Sequence, residues 1–143
     1  MKNMLLNLYL FWGMLQDLKE RKISFIYLMV GAIIGVLFLI EGFFGQCLEV
    51  IDILFSFLPG IIFLLIAKFS KEKIGFGDGW LFLILGGWIG SKKIWALWQL
   101  SLVLSATFSL LMLGIKKCRI KSQIPFIPFV WLIHLIFMGA NYE

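Results

Sequence analysis

Six apolar runs, separated by short polar loops, account for most of this 143-residue chain. A backbone surrounded by hydrocarbon has to satisfy its own N–H and C=O groups, so a run that meets a bilayer has to be a helix. The chain is 62% hydrophobic and only 15% charged. A soluble domain of this length would need more polar surface to cover its core. The expected fold is therefore all-α: a polytopic membrane protein with about six transmembrane helices, in one domain over residues 1–143.

The runs differ in length. The first, residues 4–16, would rise about 20 Å against a hydrocarbon core of about 30 Å. Asp17 closes it, and a polar turn over 18–24 follows. No secretory cleavage site lies here, because Gln16-Asp17-Leu18-Lys19 lacks the small residues a signal peptidase needs, so the run is read as a retained helix. The second run covers 25 to 40 or 44, with Gly31 and Gly35 spaced for close helix approach. The third covers 50–67, with Asp52 near its start and Pro59-Gly60 predicting a kink. The fourth, 79–90, is short again, repeats the small-residue spacing at Gly86 and Gly90, and is broken by Ser91-Lys92-Lys93. The fifth covers 94–115, where Ser101, Ser105 and Ser109 predict a packing seam. Pro125-Phe126-Ile127-Pro128-Phe129 leads into the last run, which ends near Gly139.

A net charge of +5 raises nucleic acid as a partner, but the cations are not arranged as a patch. Ten of the thirteen lie in the first, third and fifth loops: Lys19, Arg21, Lys22; Lys68, Lys71, Lys73; Lys116, Lys117, Arg119, Lys121. Positive loops stay in the cytoplasm, which puts those loops inside, both termini outside, and Asp17 and Asp78 on one cytosolic face. Cys47 and Cys118 then fall on opposite sides, and without a Cys-x-x-Cys pair they make neither a zinc site nor a redox motif. Asp52, Glu41, Glu49 and Glu143 belong to the outer side, as solvated or packing residues. Glu20 and Glu72 read as solvated loop charges. Trp88, Trp95 and Trp98 suit an interfacial belt near the outer boundary.

Asp78 sits in Lys73-Ile74-Gly75-Phe76-Gly77-Asp78-Gly79-Trp80, a glycine-rich turn ahead of an apolar run. A carboxylate at the edge of hydrocarbon is costly, which makes it a functional candidate. Alone, Asp78 would serve equally as a helix N-cap, and Asp17 as a salt-bridge partner of Lys19 or Arg21. Together they allow acid–base chemistry. Two carboxyls sharing a site do not both ionise cheaply, so one activates a water while the other, protonated, polarises a carbonyl and protonates the leaving nitrogen. The one histidine, His134, lies in the last run toward its outer end, so no Ser–His or Cys–His constellation competes and a metal site is poorly supported.

Gly75-Phe76-Gly77-Asp78 matches the Gly-x-Gly-Asp signature of intramembrane aspartyl proteases. Asp17-Leu18-Lys19-Glu20-Arg21-Lys22-Ile23 resembles the stretch that carries the first catalytic aspartate in the prepilin peptidase (type IV leader peptidase) family. Ile124-Pro125-Phe126-Ile127-Pro128-Phe129 is similar to that family's approach to its last helix. The resemblance implies a membrane-embedded aspartic endopeptidase that removes the basic leader from type IV prepilin-like or pseudopilin-like precursors. It would act at the cytoplasmic face of a bacterial or archaeal cell membrane, with no cofactor, no metal and no nucleic-acid partner. Asp17 and Asp78 match the catalytic aspartates, and Gly75 and Gly77 the motif glycines; Pro125 and Pro128 are read as shaping a helix entry, with substrate positioning by Pro125, Phe126 and Pro128 as the alternative. The first span starts the chain, so the form expected is the short one, without the cytosolic methyltransferase domain of longer members. Two departures stand out: Ser24-Phe25 replaces a frequent Pro-Asn, and Trp80 replaces a frequent lysine, which removes a positive charge beside Asp78. Presenilin-like proteases place tyrosine ahead of the first aspartate, whereas Gln16 here favours the prepilin branch. The alternative from another class is a non-catalytic membrane subunit, a small transporter or assembly component with structural or cation-binding aspartates.

Overall fold

Each apolar run forms one α-helix. The computed structural model describes residues 2–20, 22–45, 49–69, 75–114 and 125–140, and among these there is no strand. In chain order the helices are α1 (Lys2–Glu20), α2 (Phe25–Phe44), α3 (Val50–Phe69), α4 (Phe76–Ile89), α5 (Ser91–Gly114) and α6 (Ile127–Gly139). Three of them, α2, α3 and α5, are long and apolar enough to cross a membrane. The 14 residues of α4 and 13 of α6 rise only about 20 Å. Large apolar side chains stand exposed along α2 and α3, among them Phe25, Ile33, Leu37, Leu54 and Phe69. Water would penalise such a surface and lipid does not, and this is a membrane protein.

Three boundaries differ from the sequence expectation, each for a local reason. α1 does not stop at Asp17 but continues through Leu18-Lys19-Glu20, so the carboxylate lies inside the helix. These residues are good helix formers, and a polar stretch need not end a helix. α4 starts at Phe76 with Gly75 as its N-cap, which draws Asp78 into the first turn. Ser91-Lys92-Lys93 does not break the helix; it opens α5. The break falls one residue earlier, at Gly90, whose φ of 85° is a left-handed conformation that suits glycine.

The contacts divide the chain into two compact units. One contains residues 22–96, with α2, α3, α4 and the start of α5. At its centre is α4, buried from Leu81 through Trp88 apart from half-buried Leu83, with Gly79 buried and Trp80 exposed at its start. A helix apolar all round belongs in the interior. Small residues let its neighbours approach: Gly86 faces the Ser56 carbonyl of α3, and a Cβ on Gly60 of α3 would lie 2.5 Å from the Leu83 nitrogen. On the other side Trp88 enters the space left by Gly31 and Gly35 of α2, and its indole N–H donates to the Gly31 carbonyl at 3.0 Å. Trp88 is thus a buried key between helices rather than part of an interfacial belt. The helix α3 runs unbroken through Pro59. Proline brings no N–H for the Phe55 carbonyl four residues back, and the Trp95 indole N–H donates to that carbonyl instead, at 3.1 Å. Ser91 Oγ donates to the Asp52 carboxylate at 3.2 Å, tying the α5 start to α3.

The other unit contains α1, α6 and α5 from Leu97 onward. Leu6, Tyr9, Leu10, Gly13 and Asp17 form the buried stripe of α1, three to four residues apart. Trp131 of α6 donates to Asn7 of α1 at 2.8 Å, and its ring centroid lies 5.6 Å from that of Phe11. In α5, Ser101 and Ser109 donate back to the Leu97 and Ser105 carbonyls of their own helix, so these two hydroxyls are satisfied locally. Cys47, Cys118, Glu72, Glu143, and nearly all the cations of the third and fifth loops, lie outside the described residues.

Candidate active site

Asp17 is 6% exposed, on the face that α1 turns toward α6. A buried carboxylate needs donors to offset the water it has lost. They come from the beginning of α6. The amide of Ile127, the first residue of that helix, donates to Asp17 Oδ2 at 3.0 Å, and the Phe126 amide also bonds to the carboxylate. The first amides of a helix have no partner within it, and they carry the positive end of its dipole. Phe126 is the N-cap and makes no capping bond with its side chain, so the carboxylate of another helix does that work. Pro128 sits in this first turn, where its missing N–H costs nothing. The Pro125-Phe126-Ile127-Pro128 segment is therefore where Asp17 is held. Phe126 is buried, and Pro125 and Pro128 are half-buried.

Asp78 is the third residue of α4 and is half-buried. Its amide donates to the Gly75 carbonyl at 3.1 Å, closing the first turn. Its carboxylate folds back over Gly75, so that a Cβ there would lie 2.8 Å from Oδ2. Asp78 is thus not the N-cap of α4; it occupies the position from which a side chain reaches back to the cap. Gly77 has another reason to lack a side chain. A Cβ at that position would lie 2.9 Å from Cδ1 of Ile23. The two motif glycines therefore make room for different things, one for the carboxylate and one for a neighbouring chain segment.

Of the residues singled out in the sequence, Gly75 and Asp78 meet in one turn, and Asp17 meets Phe126 at the start of α6 beside Pro128. Asp17 and Asp78 belong to different units. Two contributors escape a reading by residue type: the Ile127 amide, because it is backbone, and Ile23, because an aliphatic residue after a basic loop carries no chemical signal. The Pro-x-x-Pro spacing was the available hint for the first, since it marks a helix start with spare amides. Trp80 and Phe76 are exposed, four residues apart on one face of the α4 start. Among the described residues no group of three histidine, cysteine, aspartate or glutamate side chains is arranged to hold a metal ion.

Searches of the curated proteins and of the solved structures found no match to this chain. The family comparison did: residues 4–140 match the type IV leader peptidase family. That match takes in all six helices nearly complete, Asp17 and Asp78 among their residues. This chain belongs to the type IV leader peptidase family, whose members are proteases of the prepilin peptidase type.

Proposed function

We propose that the protein is an aspartic endopeptidase of the membrane that cuts the basic leader from type IV prepilin-like precursors, using Asp17 and Asp78 as its dyad. The observation that carries this reading is the buried Asp17 carboxylate held by the α6 amides. Keeping a carboxylate at that place is costly, and acid–base chemistry gives a reason for it. Asp78, in the first turn of α4, supplies the second carboxyl of the proposed pair and lies within the residues the family match covers.

In the reaction, the ionised member of the pair takes a proton from water, and the oxygen attacks the scissile carbonyl carbon. The protonated member donates a hydrogen bond to the carbonyl oxygen, then gives its proton to the departing nitrogen as the C–N bond breaks. The two protonation states belong to the pair as a whole. The substrate is a membrane protein with a short basic leader followed by an apolar helix, cut on the cytosolic side where the positive-inside pattern places both aspartates.

The test is processing of a co-expressed prepilin-like precursor by the wild type, Asp17→Asn and Asp78→Asn. Each variant should lose about 10²–10⁴-fold in rate, the scale of a lost acid–base group. Full processing by either variant would exclude the dyad. Asp52→Asn, which changes only the carboxylate bonded to Ser91, should still process the precursor.

A further inference from the structure

We propose that Ile23 is a positioning residue for the turn that carries Asp78, a role that rests on the function proposed above. Three atoms of its side chain fill the space a methyl on Gly77 would take: Cδ1, Cβ and Cγ1 lie 2.9, 3.2 and 3.3 Å from the ideal Cβ position. Gly77 is the residue before Asp78, in the first turn of α4. Ile23 is a stiff probe, because a β-branched side chain has few rotamers to retreat into. Its backbone is also held. Ser24 caps α2 in an extended conformation, with φ −72° and ψ 143°, and its hydroxyl accepts the Tyr27 amide at 3.2 Å. An apolar residue just before an N-cap often staples onto its own helix. Here Ile23 reaches across to α4.

The rest of α4 has little freedom to answer a push. Gly79, one residue beyond Asp78, packs on Leu64 of α3, where a Cβ would lie 2.7 Å from Cδ2, and Gly86 lies against the Ser56 backbone. The Asp78 turn is therefore set from two sides, by Leu64 and by Ile23. Ile23 also closes the polar segment ahead of α2, so one aliphatic contact ties the α2 start to the turn that carries Asp78. That gives a physical reason for an isoleucine after Lys22 and a glycine before Asp78.

The test uses purified full-length wild type, Gly77→Ala, Ile23→Ala and the double variant. Each is assayed on a synthetic precursor with a basic leader and an apolar helix, and melted in the same detergent. Gly77→Ala should lower kcat about thirtyfold and Ile23→Ala about threefold, both with KM within about twofold, since the substrate-binding surface is untouched. Adding Ile23→Ala to Gly77→Ala should recover at least about fivefold in kcat, because neighbouring sites couple when one relieves the other's clash. Ile23→Ala should not rescue Gly79→Ala, whose methyl meets Leu64. Equal losses from Gly77→Ala in both backgrounds would overturn the role. If Gly77→Ala does not fold, Ile23→Val and Ile23→Ala in the chain that keeps Gly77 carry the test: kcat should fall stepwise at constant KM, and unchanged kcat overturns the role. A wild type that leaves the precursor uncut removes the protease reading and this role with it. A wild type that cuts, without coupling between Ile23 and Gly77, removes only the role of Ile23.

Discussion

A carboxylate taken out of water loses hydration worth several kcal/mol, and its surroundings must return most of that. Asp17 recovers it from backbone amides at the α6 start, donors that mutation cannot easily remove and that need no reorganisation during a reaction. Asp78 is placed by a different device, the bare Cα of Gly75, over which its carboxylate folds. Gly75→Ala would put a methyl 2.8 Å from Oδ2 and turn the carboxylate away. Because Gly75 is exposed at the helix start, the fold should tolerate the change, with stability altered by less than about 1 kcal/mol. Precursor cleavage should drop at least about tenfold, on the scale of a misplaced catalytic group. Cleavage at the wild-type rate would show that the orientation over Gly75 is irrelevant to the chemistry. Asp17 and Asp78 stood out in the sequence as carboxylates beside apolar runs, and the resemblance to the family motif added Gly75 and Gly77. What each glycine accommodates was not legible, since the occupant of the space is named only by the packed structure.

Helices meet through what their surfaces lack as much as through what they carry. In hydrocarbon no hydrophobic force draws two helices together, so close backbone approach and dispersion set the association. The α3 and α4 pair shows this at Gly60 and Gly86, each lying against backbone atoms of the other helix. A side chain there has nothing flexible to displace. Gly86→Ala should therefore cost about 1–3 kcal/mol, the usual penalty for overpacking. Gly139→Ala, at the exposed end of α6 with open space around its Cα, should change nothing measurable. Thermal unfolding of both variants in one detergent compares them, and equal melting temperatures would refute the close α3–α4 packing. The same scale explains why Pro59 is tolerated in α3. The carbonyl it leaves without a helical partner is taken up by Trp95, whose indole has both the reach and the donor.

Across the whole molecule, the arrangement of charge and apolar length decides orientation. The cations of the sequence concentrate in the first, third and fifth loops, and the proposal that these loops are cytosolic is open to labelling. With Cys47 and Cys118 replaced by serine, a single cysteine at Lys19→Cys should resist a membrane-impermeant thiol reagent added outside intact cells, and one at Lys92→Cys should react. Labelling of both from one side would remove the cytosolic placement of the aspartates. The chain by itself determined that there are six helices and roughly where they begin and end, and it singled out Asp17 and Asp78 as candidates. Hydropathy, turn glycines and prolines act within a few residues and can be read locally. Tertiary structure alone decided that the Asp17 carboxylate is held by an amide 110 positions along the chain, and that Trp88 lies between helices instead of at the interface. It alone decided, too, that Ile23 fills the space beside Gly77. Contacts of that kind join segments whose own patterns are independent, so neither partner's sequence contains the other's position.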